Sequence, residues 1–127
     1  MNIYPSLSAL TSFSTLQDVS ANNVANINTP EFKASRADLQ TGPEDKGVYV
    51  SQIIQSSEPG PLVEKIELEQ NETTNYVEQK NVLVEGSNTD LATEMVNQII
   101  NENSFAANVK SIQTYDNMVG SIINIFA

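Results

Sequence analysis

The chain has 127 residues, enough for one domain with at most a small insert. Sixteen acidic against six basic side chains give a net charge of −10, so nucleic acid and anionic membrane surfaces would repel it. Cysteine and histidine are absent, which excludes thiol nucleophiles, histidine-based triads and the usual structural zinc sites.

The first predicted element is a helix from Ile3 to Ile27. Pro5 suits its first turn, and Leu7, Leu10, Phe13, Leu16, Ala21, Val24 and Ile27 recur at spacings of three to five. Thr29 precedes Pro30 and is pushed out of the helical region, which sets the stop. Between Met1 and Thr29 the only charged side chain is Asp18; the other polar positions are Ser, Thr, Asn and Gln. Such a face can be buried against protein without stranding a charge, or it can be a Ser- and Asn-rich helix in water. The opening stretch also lacks the positive start and continuous apolar run of a secretory signal, so none is expected.

The middle is acidic, with eleven of the sixteen acids and five of the six bases between Glu31 and Gly86. Thr41 to Gly47 reads as a turn cluster, Val48 to Ile54 as a strand, and Ser56 to Pro61 as a second turn. Leu62 to Glu69 alternates, though Glu64 interrupts its apolar side. Asn71 to Thr74 breaks the pattern, and Tyr76-Val77 and Val82 to Val84 read as short extended pieces. A two- or three-stranded ribbon built from these pieces would be marginal alone, so it is expected to be carried by helices.

From Asn88 to Ala127 the sequence predicts one helix, with Ser87 to Asp90 offering its cap. Leu91, Met95, Gln98, Glu102, Phe105, Val109, Ile112, Asp116, Val119, Ile123 and Phe126 form a heptad seam, eight of the eleven apolar. Forty such residues would make a rod of roughly 60 Å, which must pack along its length against something. Gln98, Glu102 and Asp116 either fix register within the seam or turn to solvent. The fold class expected is mainly α. Residues 1–29 and 87–127 pair as an elongated coiled coil, and residues 30–86 form a small extended or β-hairpin middle segment. The alternative is a compact bundle with the long helix broken near Asn103 or Gly120.

Two blocks resemble the bacterial flagellar basal-body rod and hook proteins. The first is Ala21-Asn22-Asn23-Val24-Ala25-Asn26-Ile27-Asn28-Thr29-Pro30-Glu31-Phe32-Lys33, similar to the signature A-N-N-(aliphatic)-A-N-x-x-T-x-G-(F/Y)-K. The second runs from Ser87 to Ile100 and continues through Phe105-Ala106-Ala107-Asn108. The short middle resembles the proximal rod type. The resemblance implies export through the flagellar type III apparatus without a cleaved signal, and polymerisation of coiled-coil termini into a rod crossing the periplasm. The expected partners are further copies, other rod or hook-type subunits and the export apparatus. Glu31 stands where the family has Gly, and if that position needs positive φ it costs roughly 1 kcal/mol or more.

The resemblance makes Asn22, Asn23 and Asn26 candidates for subunit packing and for the hand-over from helix to arm; otherwise they are a fraying helix end. With them, the expected assembly interface comprises Leu7, Leu10, Phe13, Leu16, Ala21, Val24, Leu91, Met95, Ile99, Phe105, Val109, Ile112, Val119, Ile123 and Phe126. An enzyme is disfavoured: Glu64, Glu67, Glu69 and Glu72 lack an apolar pocket to raise a pKa, and no Gly-rich phosphate loop is present. No catalytic residue, cofactor or metal is expected. The competing reading is a secreted coiled-coil adaptor or chaperone that binds a partner helix at fixed stoichiometry.

Overall fold

The computed structural model describes residues 2–70 and 76–126. Helix α1 spans Tyr4–Ala25 and is followed by strands β1 (Ser35–Thr41), β2 (Val48–Gln55), β3 (Leu62–Gln70) and β4 (Val77–Glu85). Helix α2 (Leu91–Phe126) closes the chain. The strands form two separate antiparallel pairs, β1 with β2 and β3 with β4. The Asn71 to Thr74 breaker lies outside the described residues.

Helix α1 starts with the Tyr4 N–H held by Asn2 Oδ1 (2.9 Å). It ends where Asn26 Nδ2 turns back to the carbonyl of Asn22 (2.9 Å), satisfying a terminal acceptor. At the start of α2, Asp90 Oδ1 accepts the Thr93 N–H at 3.0 Å, an ordinary N-cap. The helix then runs unbroken through Asn103 and Gly120 to Phe126. The two helices pack antiparallel. Glu94, early in α2, meets Ser20 and Asn23 late in α1, while Asn101 and Phe105 line a groove with Phe13 and Gln17.

The expectation of a mainly α coiled coil is overturned. Among the described residues the structure is a mixed α/β fold, 51% helical and 28% strand, with no coiled-coil pairing shown. Two physical reasons account for the difference. The fully buried side chains of α2 are Glu94 and Asn101, whereas of the expected seam Leu91, Met95, Phe105, Ile123 and Phe126 are exposed and Val109, Ile112 and Val119 only half-buried. The middle also holds more strand than its composition suggests. Strand β1 (SRADLQT) alternates only through Ala37 and Leu39 and pairs along its whole length with β2, with Ser35 opposite Gln55 and Thr41 opposite Val48. A register shift after Asp38 leaves Ser51 over, and its hydroxyl donates to the Asp38 carbonyl at 3.0 Å.

The β1–β2 hairpin lies along α1, and small α1 side chains take up its backbone groups. Ser8 Oγ accepts the Val48 N–H (3.1 Å), and Ser12 Oγ donates to the Val48 carbonyl (3.0 Å). Asn23 does the same for Ser35 at the hairpin's other end, donating to its carbonyl at 2.7 Å and accepting its N–H at 2.8 Å. The lengths match: seven strand residues span roughly 24 Å, and Ser8 to Asn23 about 22 Å of helix. Gly47, at φ 72°, brings the hairpin end against α1, where a Cβ would strike the Ser8 hydroxyl.

The connections meet in one junction. Asn88 receives the Ala34 N–H on Oδ1 (2.7 Å), donates its amide to Ser56 Oγ (3.1 Å) and the Glu58 carbonyl (2.8 Å), and gives its own N–H to Phe32 (3.2 Å). Lys33 bridges the Glu58 carbonyl (2.8 Å) and the Glu85 carboxylate. Gly60 donates its N–H to the same carboxylate at 2.6 Å. No side chain fits at Gly60, where a Cβ would collide with the Gly86 carbonyl. Beyond this junction the β3–β4 ribbon stands clear, with every residue of β3 exposed.

Glu31 sits at φ 60°, and its N–H is tied to the Glu85 carbonyl at 2.8 Å. The left-handed conformation is thus imposed on a residue that has a Cβ. Replacing it, Glu31→Gly, is expected to stabilise the chain by about 1 kcal/mol in urea unfolding. The Lys33 hydrogen bond, then the Gly60 N–H, hold the Glu85 carboxyl below its usual pKa. A depressed folded-state pKa gives stability present above the unfolded value and lost as pH falls through the folded one. The gap in unfolding midpoint between wild type and Glu85→Gln should therefore be open at neutral pH and close below about pH 4.

Candidate assembly site

The interior of the chain is polar. Ala9 is its only buried apolar residue among those described, and the others buried there include Ser12, Ser20, Asn23, Glu94 and Asn101. Asn23, at 1% exposure, is the hub: beside its two bonds to Ser35, its amide donates to Glu94 Oε1 at 2.8 Å. Ser20 Oγ donates to Glu94 Oε2 at 2.6 Å. Glu94 is buried, and among the described residues no cation forms an ion pair with it. Two donors and its place in the first turn of α2, where the helix dipole favours negative charge, compensate for lost water.

The apolar side chains point the other way, in three patches. On α2, Leu91, Met95, Val96, Ile99 and Ile100 are exposed. On the ribbon, the register puts Leu62, Ile66, Leu68, Val77 and Leu83 on one face, all open to solvent. The opposite face carries the Lys65–Glu67 and Lys80–Glu69 ion pairs. At the end of α2, Met118, Ile122, Ile123, Ile125 and Phe126 are exposed, the last at 87%. Single exposed apolar side chains are ordinary, but contiguous groups of them are uncommon on the surface of a monomer.

The expected interface residues divide accordingly. Leu7, Leu91, Met95, Ile99, Phe105, Ile123 and Phe126 lie exposed, as do Ala21 and Asn22. Leu10, Phe13, Leu16, Val24, Val109, Ile112 and Val119 are half-buried. Asn23 lies inside the chain, while Asn26 joins Asn22 Oδ1 (3.2 Å) and the Thr29 hydroxyl (3.1 Å) in the turn after α1. Of the polar seam positions, Gln98 is half-buried, whereas Glu102 and Asp116 face solvent. Sequence reasoning missed Ser8, Ser12, Glu94, Asn88 and Lys33 as determinants. The available signal was the absence of charge on α1, which marks burial without saying against what.

Two protein families match the chain. Residues 3–33 match "Flagella basal body rod protein", and residues 79–125 match "Flagellar basal body rod FlgEFG protein C-terminal". A search of curated proteins finds no significant match. With more than half its residues in these two matches, the chain belongs to the flagellar basal-body rod protein family. These families are structural rod proteins, not enzymes, and membership supports a structural role in the flagellar basal body.

Asn23→Ala leaves the Ser35 backbone pair and one Glu94 oxygen without partners. It should lower unfolding stability by about 3 kcal/mol, read from the urea midpoint. Asn23→Asp sets a second carboxylate against Glu94, and its loss should be larger at pH 7 than at pH 5.

Proposed function

We propose that this chain is a rod subunit of the short proximal type, which assembles with copies of itself and with other rod or hook-type subunits. Its task is to build the periplasm-spanning shaft, and it reaches that place through the flagellar export apparatus without cleavage of a signal. The observation that carries the reading is the inversion of polarity: among the described residues those fully buried are almost all polar, and many of the large apolar side chains are exposed. A lone ribbon and a long half-covered helix are poorly stable in water and gain stability by mass action when neighbours cover them. The sparsely charged surfaces of both helices, with only Asp18 on α1 and Glu102, Lys110 and Asp116 exposed on α2, suit packing against further protein with little charge to desolvate. The short middle supports the proximal type, and the interface residues expected from sequence that lie exposed are assigned to contacts between subunits.

The test is deletion of the gene, scored for filaments and for rods in isolated basal bodies. Absent filaments, restored by the intact gene but not by one lacking residues 1–28, is the expected result. Normal filaments and swimming would instead point to an adaptor, which would bind its partner at a fixed ratio.

A further inference from the structure

Two stretches of chain lead into and out of the β3–β4 ribbon, residues 56–61 and residues 86–90. On the side of the helices Asn88 grips both of them. Its amide donates to Ser56 and Glu58 of the first stretch, while its side-chain oxygen and its N–H hold Ala34 and Phe32. Nearer the ribbon stand Gly60 and Gly86, one on each stretch. The Gly86 N–H donates to the Pro61 carbonyl at 2.7 Å, and a Cβ on Gly60 would strike the Gly86 carbonyl, so no side chain wedges the crossing. Beyond the two glycines β3 and β4 pack chiefly on each other. Two connecting stretches with a glycine each at the same level make a pivot, because glycine absorbs φ/ψ changes at little steric cost.

Across that pivot the rest of the chain takes hold of the ribbon at Glu85. The Glu31 N–H donates to the Glu85 carbonyl at 2.8 Å, one residue from Gly86, where a bond has a short lever against rotation. The side chain reaches further. Glu85 Oε1 accepts both Lys33 Nζ and the Gly60 N–H, the latter at 2.6 Å, and so ties the outgoing stretch to the incoming one and to the chain after α1. Lys33 is itself held by the Glu58 carbonyl at 2.8 Å. The Lys33 and Glu85 side chains are 24% and 33% exposed, whereas those of the Lys65–Glu67 and Lys80–Glu69 pairs within the ribbon are more than half exposed. Water and salt therefore compete least with the pair at the pivot.

We propose that the β3–β4 ribbon is an arm on a Gly60–Gly86 hinge, and that the Lys33–Glu85 bridge is the latch that sets its angle to the helices. Lys33 and Glu85 are positioning residues. With the latch closed, the apolar face of the ribbon is presented at one orientation. With it open, the ribbon swings as a unit while the helices and the first hairpin keep their packing. The hinge is a property of the single chain and does not depend on the rod reading.

The chain has no cysteine, so pairs of spin labels can be placed on the full-length protein without background. Gln79→Cys with Gln113→Cys reads the ribbon against α2, and Thr41→Cys with Gln113→Cys reads the first hairpin against α2; all three positions are exposed. Double electron–electron resonance should give one narrow distance distribution for each pair when Lys33 and Glu85 are intact. Lys33→Met should broaden the ribbon distribution about twofold or more and leave the hairpin distribution unchanged. Glu85→Gln, which keeps an acceptor for the Gly60 N–H, should act in the same way. Lys33→Arg keeps a cationic donor for Glu85 and should restore the narrow distribution. A ribbon pair already broad with the bridge intact, still narrow in Lys33→Met and Glu85→Gln, or no narrower in Lys33→Arg than in Lys33→Met would overturn the latch. Broadening of both pairs together would overturn the hinge, because the bridge would then hold the helices and first hairpin as well. None of these results bears on the deletion experiment, which decides the rod reading separately.

Discussion

The structure depends on one buried amide. Asn23 holds α1 to the start of β1 through a reciprocal pair of backbone hydrogen bonds and to α2 through Glu94. An asparagine suits this place because its side chain offers an acceptor and two donors in one plane, matching the N–H and C=O of an extended residue. Glu94 can remain without a counter-ion because Asn23 and Ser20 donate to it and the start of α2 lies beside it. A side chain with fewer hydrogen-bonding atoms at either position would leave a polar group dry.

Around this clamp α1 serves the first hairpin as a third strand would. Ser8 and Ser12 complete the hydrogen bonding of Val48, so the hairpin's ends are pinned without burying a hydrophobic face. The second hairpin has no such support beyond the junction at Asn88, Lys33 and Glu85. Its apolar face and the exposed apolar side chains of α2 are therefore not covered by the described parts of the chain. Stability in the isolated chain comes from satisfied polar groups and helix contacts, and little from an apolar core.

That distribution explains why heptad reasoning misplaced the helix contact. The apolar seam predicts a continuous contact along α2, yet the residues fully buried on that helix are Glu94 and Asn101, and Val109 and Ile112 of the seam are only half-buried. Periodicity reports that a face avoids water; it does not report whether the cover comes from the same chain. The tolerance of Glu31 for φ 60° has a similar origin, because the Glu31 N–H bond to Glu85 fixes a turn that the local sequence disfavours.

Local sequence by itself determined the two helices, the approximate positions of β2 and β3, the family blocks and the exclusion of thiol and histidine chemistry. These depend on short-range patterns: apolar spacing, a proline stop, a cap and absent residue types. Only the tertiary structure decided that β1 exists, that the middle forms two hairpins, and that the first lies along α1. It also decided which of the three signature asparagines is buried. Those outcomes rest on hydrogen bonds between residues far apart in the chain, such as Asn23 with Glu94 and Asn88 with Ala34. A single Ser, Asn or Glu carries no local mark of the distant backbone group it will satisfy.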